Sequence, residues 1–452
     1  MRSRTPKVLH PLLGRPMLAY IADAAREVTG RRPVIVWSPP VAAICDVFAG
    51  EADFARQDEP RGSGDALRAG LAAVPDDARE VLVLNGDVPL VDSALLTELL
   101  DARREDEAAI SILTVDAVDP RRLGRVVRDP AGYVERIVEA KDATDEELLL
   151  SEINTGLYAM DAVWLRRRIG DLTPSPATGE LYLTQLIELA RRDGRVVSAL
   201  EVPDDGSLLG INDRAELADA VHRLQARINE EHMLRGVTME DPSTAYVEPG
   251  VTLAQDVVLE PNVILRGRTT VGEGTRIGAG SQIVDTTIGR DCVVWASVLE
   301  ASEVEDEVRI GPFAHLRPGS SIGHGARLGN YAEVKNSRLE PGVQQHHVSY
   351  LGDAHVGRNA NIGAGTVTAN YDGTRKLRTT IGEGAFIGVD TMLVAPVTVG
   401  DGAKTGAGAV VTRDVPPGAV VVGVPAHPIV RRESGETPGG DPIRAAGGDP
   451  PA

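Results

Sequence analysis

Aromatic residues are scarce in this chain: Phe, Trp and Tyr make up 3 % of its 452 residues. The core must therefore be aliphatic, which is unusual for a mixed α/β enzyme and suits regular stacks of Val, Ile and Leu. Cysteine is nearly absent, and Cys45 and Cys292 lie far apart. That excludes a disulfide framework and a cysteine metal site, and it fits a reducing, cytoplasmic setting. No run of about 18 apolar residues exists and the N-terminus has no apolar signal core, so neither a membrane span nor a leader is expected. Positive charge is short as well. The formal net charge of −19 excludes a general surface for nucleic acid or anionic membrane, so an anionic ligand needs a local cationic cluster or a metal. Only five of the 47 basic residues are lysine: Lys7, Lys141, Lys335, Lys376 and Lys404. Where Arg serves equally well it has displaced Lys, which enriches the survivors for places needing a compact point charge.

What is present falls into two patterns. Residues 1–212 alternate strands and helices. Pro33–Trp37 and Val81–Leu84 read as buried parallel strands, Gly64–Ala73 as a helix between them, and Ala109–Val115 as another strand. This is an α/β, Rossmann-like domain, which binds ligands at the carboxyl ends of its strands. Residues 213–236 read as a connecting helix, capped by Asn212 or Asp213, with Leu217, Val221, Leu224, Ile228 and Met233 on one stripe.

Over 237–432 the period becomes six. Val247, Leu253, Leu259, Leu265, Val271, Ile277 and Ile283 recur without a miss, and Ile288 and Val294 follow a slip of one. Ile310, Leu316, Ile322, Leu328 and Val334 form a second run, and Ile381, Ile387, Leu393, Val399, Thr405 and Val411 a third. Six matches neither a helix nor a hairpin. It is the period of a left-handed parallel β-helix of hexapeptide repeats, with one short strand per hexad and aliphatic side chains stacked along the axis. The polar stretch Ala369–Thr380 interrupts the period and reads as a loop ejected from the solenoid. Residues 433–452 are rich in Gly and Pro and read as a disordered tail.

A set of short motifs runs through both patterns: Pro6-Lys7-Val8-Leu9-His10, Asn85-Gly86-Asp87-Val88-Pro89-Leu90, Ile137-Val138-Glu139-Ala140-Lys141-Asp142, Glu152-Ile153-Asn154-Thr155-Gly156, Leu316-Arg317-Pro318-Gly319, Asn361-Ile362-Gly363-Ala364-Gly365-Thr366 and Asn370-Tyr371-Asp372-Gly373. In this order the chain resembles the bacterial bifunctional N-acetylglucosamine-1-phosphate uridyltransferase / glucosamine-1-phosphate N-acetyltransferase family. The resemblance implies an enzyme of UDP-N-acetylglucosamine synthesis that uses UTP, N-acetylglucosamine-1-phosphate, glucosamine-1-phosphate and acetyl-CoA. It also implies Mg²⁺ and a homotrimer. The family opens with a strand and a loop of the form L-x-x-G-x-G-T-R-M-x-S-x-x-P-K. Met1-Arg2-Ser3 matches only the end of that motif, so the first strand and most of the glycine-rich loop are expected to be missing from this sequence through a misassigned start.

The resemblance also implies roles. In the first domain Lys7 would neutralise phosphate, Asp87 and Asn212 would hold Mg²⁺, Gly124, Glu139 and Asn154 would bind sugar, and Gln57 and Gly62 would bind uracil. A carboxylate and an amide oxygen, with substrate phosphates completing the shell, suit that ion. On the β-helix His347 would be the base for acetyl transfer, and Arg317, Lys335, Tyr350 and Lys376 would grip the sugar phosphate. Asn361 and Asn370 would orient substrate, the Tyr371 N–H would face the oxyanion, and Ala407 would touch acetyl-CoA. Several positions depart from the family pattern. Arg61-Gly62-Ser63-Gly64-Asp65 replaces L-G-T-G-H, Gln185 replaces an Asp, Gln344-Gln345 replaces a small residue and Lys, and Val389 replaces a Ser. Gly423-Val424-Pro425-Ala426 lacks the basic residue expected near the coenzyme phosphate. Two alternatives follow: an acetyltransferase only, or a non-catalytic trimeric scaffold that binds sugar nucleotides. A zinc enzyme would need three converging histidines, and the spacings of His315, His324, His347 and His355 form no evident ligand set.

Overall fold

Ten residues, Glu152–Asp161, form the strand on which the first unit is built. The computed structural model describes residues 1–120, 123–176 and 178–429, and its chain divides into a unit spanning Met1–Glu230 and a second beginning at Glu231. Glu152–Asp161 pairs antiparallel with Ile110–Asp116, with Glu80–Val83 and, at Arg125, with Arg125–Arg128. Val197–Val202 lies parallel to Ile110–Asp116. A separate parallel pair joins Val34–Trp37 to Asp53–Arg56. Helices such as Met17–Thr29, Ser63–Leu71 and Ser93–Glu105 bury their apolar stripes in this unit, and Asp92 caps the last by accepting the Leu95 N–H at 2.9 Å.

The expectation of two buried parallel strands fails in part for both: Val34–Trp37 runs parallel to Asp53–Arg56, but of its four residues only Ile35 is buried. Glu80–Val83 is antiparallel to its neighbour and only half-buried along its length. The reason is a cleft of about 780 Å³ between it and Val34–Trp37, lined by Val34, Ile35 and Val36 on one strand and by Val81, Leu82 and Val83 on the other. Each of these two strands has a ladder partner on one side only among the described residues, so two polar backbone edges border an aliphatic gap.

The helix Arg214–Leu234 starts where expected. Asp213 Oδ1 accepts the Ala215 and Glu216 N–H groups at 2.8 and 2.9 Å. Its buried face is not the expected stripe. Of the five residues only Leu224 is fully buried, with Ala220, Gln225 and Asn229 beside it. Gln225 Nε2 donates to Asn229 Oδ1 at 3.0 Å, and such a buried polar pair is invisible to an argument from apolar spacing.

The second unit is a parallel β-helix. Strands of two to four residues stack into three ladders of 12, 10 and 9 strands. Where the coil is regular, partners are 18 residues apart, as Val247 is opposite Leu265 and Leu265 opposite Ile283. The slip after Ile283 shortens the coil: Ile283 faces Leu299. Nearly every hexad position named above is under a tenth exposed, because inward side chains meet their counterparts one coil above and below. Small hydroxyls close the corners. Thr269, Thr286, Ser302, Ser320 and Ser337 are buried, and each donates to a nearby turn carbonyl at 2.6–2.8 Å. The ejected loop leaves after Val367–Ala369 and re-enters at Thr379–Ile381. Residues 430–432, the expected end of the β-helix, and the expected disordered tail 433–452 lie outside the described residues.

Candidate functional sites

Three residues far apart in sequence meet at the strand ends of the first unit. Lys7 lies in the short turn Lys7–Leu9, Asp87 follows Glu80–Val83, and Asn212 precedes the long helix. Lys7 Nζ is 2.5 Å from Asp87 Oδ2 and 3.1 Å from Asn212 Oδ1. The Asp87 and Asn212 oxygens thus converge on one cationic point. This donor set fits Mg²⁺: both atoms are hard oxygens, and a site with so few protein ligands leaves room for phosphate. Among the described residues no cluster of three or more His, Cys, Asp or Glu could hold a metal by itself.

A second group surrounds Asn154. Its N–H donates to the Gly124 carbonyl at 2.9 Å, and its side-chain amide donates to the Tyr158 hydroxyl at 2.7 Å. A Cβ on Gly124 would stand 3.0 Å from Ile137 and 3.6 Å from the Glu139 carboxylate, so only glycine keeps this corner open. Burial, reinforced by Asp142, pushes the Glu139 carboxyl above its ordinary value, while Lys141 opposes the shift. Gln57 and Gly62 form a third group at the start of Ser63–Leu71. Gly62 has φ 108°, and a Cβ there would collide with the Leu181 backbone at 2.5 Å.

On the β-helix the predicted residues fall into two groups. Arg317, Lys335 and Gly352 occupy the same lateral place on successive coils, and Arg317 pairs with Glu333 at 2.9 Å. The Tyr350 hydroxyl and the Asn370 amide lie where a Cβ on Gly352 would stand. Asp353 holds that amide at 2.5 Å and the Asn336 amide at 2.6 Å. Tyr371 and Lys376 sit on the adjoining loop, with the ammonium 5.3 Å from the ring centroid. The other group lies at the opposite end of the same strands. Turn hydrogen bonds Gly365 N–H to Val348, Asp390 N–H to Ala364 and Gly408 N–H to Val389, at 2.7, 2.6 and 2.8 Å, stack successive corners. They bring the turn bearing His347 into line with Val389 and Ala407. Asn361 lies on the strand entering this corner. No hydrogen bond or ion pair among the described residues joins His347 to Arg317, Lys335 or Lys376.

Sequence reasoning missed the supports. Asp353 stands three residues after Tyr350 in the stretch Tyr350-Leu351-Gly352-Asp353, so a signal existed. Gln345 is fully buried at an inward position. Its amide donates to Ser349 Oγ at 3.0 Å, and Ser349 donates to the His347 carbonyl at 2.9 Å. Its Oε1 has no partner. A glutamine in an aliphatic column carries no periodic signal.

Comparison with known proteins places both units. Residues 1–158 match the MobA-like NTP transferase domain. Residues 268–298 match the hexapeptide repeat of succinyl-transferase, and 378–413 match the bacterial transferase hexapeptide (six repeats). A nucleotidyltransferase unit followed by a hexapeptide β-helix defines a two-headed transferase. The chain is 41 % identical over 430 residues to the Bifunctional protein GlmU of Mycobacterium tuberculosis, covering 93 % of this chain and 87 % of that one. It is 42 % identical over 425 residues to that of Pelobacter propionicus and 40 % over 422 to that of Heliobacterium modesticaldum, covering 93 % of this chain and 92 % of each relative. It belongs to the bifunctional GlmU family, and is an enzyme with uridyltransferase and acetyltransferase activity on nucleotide and sugar phosphate substrates. No helix among the described residues is long and apolar enough to cross a membrane.

Proposed function

We propose that the chain acetylates glucosamine-1-phosphate with acetyl-CoA on the β-helix and joins the resulting N-acetylglucosamine-1-phosphate to UTP in the first unit. The observation that carries this reading is the convergence of Lys7, Asp87 and Asn212 across 205 positions of sequence. In uridylyl transfer a sugar-phosphate oxygen attacks the α-phosphorus of UTP and pyrophosphate leaves. Lys7 would neutralise phosphate charge, and Asp87 and Asn212 would hold Mg²⁺, which supplies further neutralisation when bound. Asn154, Gly124 and Glu139 would orient the sugar, and Gln57 and Gly62 the uracil. In acetyl transfer the amine attacks the thioester carbonyl and the C–S bond breaks. The bond formed is N–C; His347 takes a proton already on the attacking nitrogen, and the thiolate of coenzyme A leaves. Arg317, Lys335 and Lys376 would hold the phosphate, Tyr350, Asn361 and Asn370 the sugar, the Tyr371 N–H the oxyanion, and Ala407 the acetyl-CoA.

We also read the chain as a homotrimer, supported by one face of the β-helix. Along the corner that carries His347, the exposed residues Trp295, Phe313, Tyr331 and Val348 form a stripe in a chain otherwise poor in aromatics, with Phe313 and Tyr331 stacked at 5.5 Å. Such a stripe marks a contact surface, and a neighbouring copy there would bring side chains between the two halves of the acetyl site. The test is an assay of the full chain for both reactions. UTP consumption with N-acetylglucosamine-1-phosphate and acetylation of glucosamine-1-phosphate are both expected. Absence of both sinks the reading.

A further inference from the structure

We propose that Asp65 fixes the orientation of the Gln57 side-chain amide, and that this makes the nucleotide site select uracil, whose ring N3 carries a hydrogen, over cytosine, whose N3 does not. The inference rests on Gln57 as a base-contacting residue and adds a positioning residue at a place where the chain departs from its family's pattern.

Asp65 sits in the first turn of Ser63–Leu71 and is only 7 % exposed. Both of its carboxylate oxygens are engaged. Oδ2 accepts from Gln57 Nε2 at 2.8 Å, and Oδ1 accepts from the Arg68 guanidinium. The hydrogen bond from Gln57, followed by Arg68, holds the carboxyl below its ordinary value against the opposing effect of burial, so Asp65 is ionised at neutral pH. An ionised carboxylate only accepts. The nitrogen of the Gln57 amide must therefore face Asp65, and the oxygen must face away. The orientation of a glutamine amide is usually set by weak preferences among neighbours. Here a charge sets it.

An amide oxygen turned outward accepts the N3–H of uracil. Opposite cytosine it would face a second acceptor, which costs binding. Arg68 makes the device testable, because a guanidinium has only donors. In Asp65→Asn the new amide must keep its oxygen toward Arg68 and turn its nitrogen toward Gln57. Gln57 must then rotate, giving its oxygen to Asn and its nitrogen to the base, an arrangement that suits cytosine.

The experiment measures calorimetric binding of UTP and CTP to the full chain, and KM and kcat for both nucleotides with N-acetylglucosamine-1-phosphate. The unaltered protein should prefer UTP. Asp65→Asn should lower the UTP-to-CTP ratio about ten- to a hundredfold, in Kd and KM rather than kcat. The double variant Gln57→Glu/Asp65→Asn should restore the preference, because a glutamate can accept from the Asn amide and still present an oxygen to N3–H. A merely structural role for Asp65 predicts no such rescue. If Gln57→Ala abolishes the preference while Asp65→Asn leaves it intact, Asp65 does not position the amide and the proposal falls. If Gln57→Ala leaves it intact, Gln57 does not read the base, and the underlying assignment falls first. Should Asp65→Asn fail to fold, as judged by near-ultraviolet circular dichroism, Asp65→Ser replaces it. A hydroxyl both donates and accepts, so the ratio should drop toward one, and an unchanged ratio overturns the proposal.

Discussion

The β-helix and the first unit treat strand edges in opposite ways. In the β-helix almost every strand is paired above and below, and each inward residue packs on its counterparts in the adjacent coils. In the first unit two strands face one another across an aliphatic cleft without touching. The contrast teaches where each unit can carry function. The solenoid is a rigid frame on which side chains are placed by coil number. The first unit gathers its polar residues from loops at strand ends, and its sheet is open beside them.

The largest effect expected is a separation of the two activities. His347→Ala should lower acetyl transfer by about two to four orders of magnitude and leave uridylyl transfer unchanged in the same protein. A parallel loss of both would break the comparison. The next effect is on stability. Leu316 is fully buried between coils, so Leu316→Ala should cost about 2–5 kcal/mol. Leu82 borders the cleft, and Leu82→Ala should cost only about 1 kcal/mol. Urea unfolding checks this unit by unit, because Trp295 reports on the β-helix and Trp37 and Trp164 on the first unit. The reverse order of costs would show that the cleft is closed in solution.

The smallest effect is a pH dependence confined to the first unit. Glu139 titrates above the ordinary carboxyl value because it is buried and lies near Asp142. As pH falls through that raised value the carboxylate gains a proton and ceases to be a pure acceptor. KM for the sugar phosphate in uridylyl transfer should then rise, by up to about tenfold per pH unit, while the acetyl reaction shows no matching inflection. Glu139→Gln should flatten the profile. The sign for stability is opposite. Burial penalises the charged form, so the Glu139 contribution to folding declines as pH rises from the ordinary glutamate value toward the raised one.

Legibility followed regularity. The hexads could be read to the residue because a period of six repeats one environment, so Ile277, Leu316 and Ile387 each reported the same inward position. The first unit was legible as alternating elements but not as a sheet. Nothing in Val81–Leu84 says that its neighbour runs antiparallel or that its far edge lies bare. At the sites, Lys7, Asp87 and Asn212 were named from motifs, and the structure brings them together. Gln345, Ser349, Asp353 and the Gln57–Asp65 contact act through hydrogen bonds to other functional groups, which leave no spacing rule in a single sequence. The helix stripe differs from the expected one for the same reason, since Gln225 and Asn229 are buried and hydrogen-bonded to each other.

The coil also governs how such a chain can change its length. Removing one residue at a corner is absorbed there, as in the shortened coil from Ile283 to Leu299, and removing all 18 between Val247 and Leu265 would keep every later register and shift the remaining sites one coil along the axis. The loop between Ala369 and Thr379 escapes even that rule, because its length does not enter the count of either neighbouring strand. Insertions and deletions among natural variants should therefore collect in whole coils or at the corners between strands. A gene encoding this fold can lengthen by duplication without re-inventing its core.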